Sequence, residues 1–308
     1  MRTDSIMDTV ANAPPSAADV GATDARPYRL RWIVAAVVLA ANVMDLLDAT
    51  IVNVAGPSVH RDLGGAAGTL QWLSAAYTLA FAVLLIAGAR LGDIFGRRRL
   101  FLAGSAGFTL FSAASAAAPT IGALITFRAL QGAFGALMIP QGFGLMKQVF
   151  DDQAEMDRAL SLFGPATGVP MLAAPILAGA LIDANVWGIG WRLVFLINVP
   201  IGALTLPLAI RSLPRSAPTH PDIRLDMGGV GLVGLALVTI IYPLIQARAE
   251  GWPAWCFAML ATGAVLLLAF LRYERRRGSD PLIEPTLLTN RTYLSGIAVA
   301  LALFGAFG

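Results

Sequence analysis

From Trp32 onward the sequence alternates long apolar runs with short polar breaks, and that pattern limits the fold more than any single motif. A helix needs about 20 apolar residues to cross the hydrocarbon core of a bilayer. By that ruler eight complete spans lie near residues 32–54, 70–89, 100–118, 121–146, 159–182, 193–210, 228–246 and 254–271. A ninth begins near Tyr293 and meets Gly308 without a polar cap or a flanking charge, which reads as an interrupted helix. The expected fold class is an all-α polytopic membrane protein.

Composition agrees. Hydrophobic residues make up 57% of the chain, charged residues 13%, and the mean hydropathy is +0.70. Soluble domains carry about 25% charged residues. The net charge of +3 lies beside apolar spans, so it points to orientation in a membrane and not to nucleic acid. The single cysteine, Cys256, rules out an internal disulfide and a cysteine-built metal site. The two histidines, His60 and His220, fall in predicted loops. The chain shows no cluster of histidines and no nucleophile paired with a base at one depth, so no metal, no cofactor and no enzymatic activity is expected.

Residues 1–27 are rich in Ala, Pro, Asp and Thr and lack an apolar run, as expected of a disordered tail. Eighteen of the 22 basic residues fall in loops on the side of the N-terminus. Three (Arg61, Arg192 and Arg248) fall on the other side, and Arg128 lies within a span. The asymmetry places the N-terminus in the cytoplasm of a multi-pass protein of the plasma membrane.

Two charges sit where a bilayer disfavours them. Asp48 lies in the first span and Arg128 in the fourth, and a charge at that depth costs several kcal/mol (about 3 or more) unless it faces protein or water. Such residues mark ion or substrate pathways. Asp45 precedes Asp48 by three residues, on nearly the same helix face. In a dry cavity, desolvation and mutual repulsion favour a protonated carboxyl, which can load and release a proton. Arg128 keeps its charge, so its role is electrostatic, with Gln131 one turn on as a polar partner. Two structural alternatives stand beside this: Asp48 snorkels to an interface or caps a broken helix, and Arg128 forms a static ion pair. Trp72, Tyr77 and Phe81 on the second span could meet a cation, but aromatics near span ends, such as Trp187, Trp191, Trp252 and Trp255, more often face lipid or the interface.

Between spans two and three the chain reads Gly88-Ala-Arg-Leu-Gly-Asp93-Ile-Phe-Gly96-Arg97-Arg98-Arg99. Its glycines suit a tight turn, and Asp93 can pair with a guanidinium or cap a helix. The arginines could serve as topological anchors alone. The whole resembles the signature loop of the major facilitator superfamily, G-x-L-x-D-R-x-G-R-R, with Asp93, Gly96, Arg97 and Arg98 matching. Ala89 stands at the first glycine and Ile94 at the first arginine. The resemblance implies a loop that latches the cytoplasmic closure between two halves.

Other segments resemble the fourteen-span drug:proton antiporters of the QacA/EmrB type. Leu47-Asp48-Ala-Thr50-Ile-Val-Asn53-Val-Ala-Gly56-Pro57 is similar to that family's first span, Arg128-Ala-Leu-Gln131-Gly132 to its fourth, and Trp191-Arg192-Leu-Val-Phe195-Leu-Ile-Asn198-Val-Pro200 to the entry of its sixth. The span-five antiporter motif G-P-x-x-G-G is eroded to Ala174-Pro175-Ile-Leu-Ala178-Gly179. Gly164 and Gly168 offer a G-x-x-x-G packing step there, and Pro165, Pro170 and Pro175 should bend or break the helix.

The resemblance implies an N-terminal six-helix bundle over residues 28–212, a cytoplasmic linker over 213–227 and two extra helices over 228–272. A cytoplasmic loop over 273–292 and the incomplete first helix of a second half over 293–308 follow. It implies an antiporter that exchanges protons for a small amphipathic, in some members cationic, drug or metabolite. The alternatives are a truncated, non-transporting remnant, a half-transporter needing a partner that supplies the C-terminal half, and a nutrient importer.

Overall fold

The computed structural model describes residues 28–65, 67–215, 226–276, 295–296 and 298–299. All regular structure in them is helical. The helices are α1 (Arg31–Leu63), α2 (Ala67–Phe95), α3 (Arg97–Ala116), α4 (Ile121–Val149), α5 (Gln153–Ser161) and α6 (Phe163–Ala184). Two 3-10 turns, Val186–Gly188 and Gly190–Arg192, lead into α7 (Leu193–Leu196), α8 (Asn198–Ser212), α9 (Met227–Glu250) and α10 (Ala254–Arg276).

Seven segments among the described residues are long and apolar enough to cross a membrane: α1, α2, α4, α5 with α6, the Gly190–Ser212 segment, α9 and α10. The expected span at 100–118 is α3, which is long enough but less apolar. The reason lies in its surroundings. Ser105, Ser112 and Ser115 are buried inside the bundle, where α3 packs against α4 and α8 and has little need of a lipid-like surface. The tail 1–27, most of the linker and the loop 277–292 lie outside the described residues, as do His220 and all but four residues of the ninth span.

Three other expectations change. His60 lies in the last turn of α1, not in a loop. The α6 helix runs unbroken through Pro170 and Pro175, and Pro165 sits in its first turn, where no intrahelical donor is needed. Trp191 is buried, its ring edge-on to Phe195 and its Nε1 donating to Asp62 at 2.9 Å, so it faces protein. Trp187 remains exposed.

Close helix contact rests on glycine. On α4, a Cβ at Gly132 would run into the Tyr77 carbonyl of α2, and on α2 one at Gly88 would run into the Ala136 carbonyl of α4. On α3, a Cβ at Gly104 would come within 2.9 Å of the Phe134 carbonyl oxygen of α4. These contacts hold α4 between α2 and α3. The α9–α10 pair packs on α2, with the Trp72 and Tyr242 rings 5.4 Å apart.

Contacts also sort the loops into two ends. At one end Tyr28 donates to the Ser212 carbonyl (2.9 Å), Arg31 pairs with Glu155 (2.7 Å) and Arg98 donates to the Ile210 carbonyl (2.6 Å). At the other end Asp62 pairs with Arg192, and Gly65 lies against Ile121. Each end has its own apolar core. Val34, Val38, Met44, Phe101, Phe108 and Leu145 fill the first, and Ile51, Val59, Leu73, Leu124, Ala178 and Phe195 fill the second. The boundary between them on α1 falls at Asp45–Asp48.

Candidate functional site

That boundary is polar. Asp48, Arg128, Gln131 and Asn198 are each 0% exposed, and they come from α1, α4, α4 and α8. Arg128 Nη1 pairs with Asp48 Oδ2, and the same nitrogen reaches Gln131 Oε1 at 3.0 Å. Its Nε donates to the Leu73 carbonyl of α2 at 3.1 Å. The guanidinium lies over the Tyr77 ring, 4.5 Å from the centroid, and 5.6 Å from that of Phe195. Asp48 Oδ1 accepts from Asn198 Nδ2 at 2.8 Å. Asp45 accepts from the Tyr77 hydroxyl, a turn away on the same face of α1.

The sequence residues Asp45, Asp48, Arg128 and Gln131 therefore converge, and Asp48 neither snorkels nor caps a helix. A pair buried to this degree is poor evidence of stability, because desolvating two charges offsets most of their attraction. One proton on Asp48 would turn a neutral pair into a lone buried cation.

Three participants went unassigned at the sequence level. Tyr77, in the sequence one of three aromatics on the second span, is 4% exposed and lies inside the site. Asn198 was part of a quoted motif without a role, although a lone amide in an apolar run is itself a signal. Ser112, which accepts from Asn198 Nδ2 at 3.0 Å, sits among alanines and serines and gave no signal at all.

At the end that carries Arg31 and Arg98, Asp93 of α2 pairs with Arg97 of α3 at 2.9 Å across the Gly96 junction. Gly96 joins α2 to α3 alone, with φ of 93°, a conformation that favours glycine. Gln141 of α4 donates to the Gly88 carbonyl at 2.7 Å and packs against Gly92, which ties the loop to α4. Arg98 reaches α8, as noted above.

The span-five residues do not join the site. A Cβ at Gly164, Gly168 or Gly179 would meet nothing within 4 Å among the described residues. The face of α6 that packs on α1 carries Pro170, Ala174 and Ala178 in place of the glycines. Pro175 beside it is exposed. Among the described residues no group of three or more His, Cys, Asp or Glu could hold a metal ion.

A cleft of about 720 Å³ opens between α1, α2 and α9, lined by Asn53, Gly56, Gln71, Ser74, Thr78, Ile241 and Leu244 among others. No charged residue lines it. Ser74 donates to Asn53 Oδ1 at 2.6 Å on its wall. Ser74 follows Leu73, whose carbonyl holds Arg128, so the cleft and the ion pair share a stretch of α2.

Comparison with known proteins agrees with this architecture. The model of the Major Facilitator Superfamily matches residues 38–308. A "Probable actinorhodin transporter" of Streptomyces coelicolor is 47% identical over 306 residues, covering 96% of this chain and 52% of the relative. A puromycin resistance protein of Streptomyces alboniger is 38% identical, covering 92% and 55%. A cephamycin export protein of Amycolatopsis lactamdurans is 39% identical, covering 80% and 50%. The chain thus spans about half the length of the curated relatives it matches. Among solved structures, that of a D-xylose-proton symporter superposes with a TM-score of 0.50 at 15% identity, covering 78% of this chain and 66% of the other, a likeness of fold.

Proposed function

The chain belongs to the major facilitator superfamily, and from that premise we propose that it forms the N-terminal portion of a proton-coupled antiporter that exports amphipathic drugs or metabolites. The observation that carries the coupling is the fully buried Asp48–Arg128 pair, set between two apolar cores. Export fits the relatives, three of which are named for transport, resistance or export of antibiotics. The mechanism follows from charge. With Asp48 ionised, the pair is neutral and holds α1, α2 and α4 together through Arg128. A proton taken up by Asp48 removes the counter-charge, and the lone guanidinium then favours a conformation in which water or another acceptor reaches it. The cleft, with its amide and hydroxyl wall, receives the substrate.

In this reading the end that carries Arg31 and Arg98 faces the cytoplasm. Cysteine-labelling tests that: Arg99→Cys should react with a membrane-impermeant maleimide only after the membrane is opened. Latching by Asp93, Gly96, Arg97 and Arg98 is part of the same reading, as is the assignment of 28–212 to one bundle and 228–272 to an added helix pair.

A half-transporter reading is favoured by α6, whose Val169, Leu172 and Ile176 are 63%, 78% and 74% exposed. One experiment addresses both. Everted vesicles carrying either the 308-residue chain or the polypeptide at its native length are loaded by an imposed pH gradient with ethidium. Asp48→Asn should abolish gradient-driven accumulation while leaving insertion intact, and unchanged accumulation would remove Asp48 from the mechanism. Accumulation by the native-length polypeptide and none by the 308 residues alone would support the N-terminal-portion reading, whereas accumulation that needs a separately expressed C-terminal half would select the half-transporter reading.

A further inference from the structure

Asn198 is the first residue of α8, set at the junction with α7, and it touches Asp48 and Ser112 at once. Its Nδ2 donates to Asp48 Oδ1 at 2.8 Å and to Ser112 Oγ at 3.0 Å. The Ser112 hydroxyl donates to the Phe195 carbonyl at 2.8 Å. All three side chains are 0% exposed. The amide oxygen, Asn198 Oδ1, has no partner, although it is buried. A buried acceptor left idle is costly, and it calls for a reason.

The chemistry of the neighbour supplies one. A carboxylate can only accept, so while Asp48 is ionised the amide must turn Nδ2 toward it. A protonated carboxyl has an O–H to give, and the groups around it decide where that goes. Arg128 offers donors only. The charged and titratable groups near this point are Asp48 and Asp45 from α1, Tyr77 from α2 and Arg128 from α4, while α3 and α8 contribute the uncharged Ser112 and Asn198. Tyr77 is committed to Asp45. The idle Asn198 Oδ1 is an acceptor beside the proton's arrival point.

We propose that Asn198 is a positioning residue that follows the protonation of Asp48: Nδ2 holds the carboxylate, and after a half-turn of the amide Oδ1 accepts the proton that Asp48 Oδ1 has bound. The step balances simply. One proton from the aqueous side forms the Oδ1–H bond, Asp48 becomes neutral, the Asp48–Arg128 pair gains one positive charge, and deprotonation reverses each change. The Ser112 hydroxyl, which can donate or accept, turns with the amide. The α7–α8 junction, tied through Phe195 and Asn198 to the ion pair, is then the element that feels the proton.

The inference rests on the proposed role of Asp48, and its test does not require transport. Purified native-length protein is titrated under infrared difference spectroscopy. Asp48→Asn identifies the carbonyl band of the protonated Asp48, and isotope-labelled asparagine identifies any amide carbonyl that changes with it. The expected result is an Asp48 carbonyl band at the hydrogen-bonded position, accompanied by an asparagine amide band that disappears in Asp48→Asn and in Asn198→Leu. In Asn198→Leu the Asp48 band should move to the position of a free carboxyl, and Asn198→Thr, which keeps a hydroxyl, should move it less. A silent asparagine amide in the wild-type protein would overturn the proposal even if Asn198→Leu fails to fold. An Asp48 that shows no protonated band at any pH the protein survives would overturn it too. These bands present with ethidium accumulation insensitive to Asp48→Asn would leave the amide switch standing and refute the coupling role.

Discussion

Replacing Arg128 by methionine leaves the Asp48 carboxylate buried with a single remaining donor, Asn198 Nδ2. Breaking a buried pair from one side costs about 3–5 kcal/mol, roughly a hundred- to several-thousand-fold in the folded-to-unfolded ratio. Part of that loss does not concern Asp48. Gln131 Oε1 loses its donor in Arg128→Met, and a buried orphan costs about 1–3 kcal/mol, whereas the Leu73 carbonyl keeps its donor within α2. Adding Asp48→Leu to Arg128→Met leaves that orphan in place, orphans Asn198 Nδ2 in part, and removes the uncompensated charge. The double variant should therefore be more stable than Arg128→Met alone by about 1–3 kcal/mol, despite carrying one more substitution. Asp48→Leu alone strands the guanidinium and should cost about as much as Arg128→Met. The coupling between the two sites should far exceed the ~0.5 kcal/mol expected of independent positions. Unfolding of the native-length protein in mixed micelles of rising SDS fraction, followed by tryptophan fluorescence, gives all four corners of the cycle. Additive single effects would refute the reasoning, since they would mean that the two charges are separately solvated. Transport should be absent from every variant, because stability is restored by removing the charge that moves.

Gly132→Ala should destabilise by about 1–3 kcal/mol, because its Cβ meets the Tyr77 carbonyl and forces α2 from α4, whereas Gly168→Ala should change the melting temperature little, since nothing lies within 4 Å. Gly96→Ala forces a side chain onto φ of 93° between α2 and α3 and should cost about 1 kcal/mol or more by thermal unfolding. Asp93→Asn removes a pair whose side chains are about a quarter exposed, so its melting shift should reflect under about 1 kcal/mol; a marked loss of transport at near-native stability would support the latch. Trp191→Phe keeps the ring contact with Phe195 and loses the donor to Asp62, and should cost about 0.5–1.5 kcal/mol in the same unfolding assay.

Apolar run length and the distribution of 22 basic residues were enough to predict a helical membrane protein and to place most spans within a few residues, because lipid imposes length and polarity on each segment separately. Asp48 and Arg128 stood out for the same reason: a charge in such a run is costly wherever the chain goes. Partnership was a different matter. That Asp48 meets Asn198 across 150 positions, that Tyr77 turns inward and binds Asp45, and that Ser112 completes the set depend on how α1, α2, α3 and α8 rotate about their axes. Those rotations follow from glycine contacts such as Gly132 on Tyr77 and Gly104 on Phe134, which two separate helices make together and neither encodes alone. Span five shows the reverse. Its glycines matched a packing pattern, yet α6 turns Ala174 and Ala178 to α1 and leaves Gly164, Gly168 and Gly179 open. Depth in the membrane is a property of one segment and can be read along the chain, whereas facing is a property of pairs of segments and was settled only by their packing.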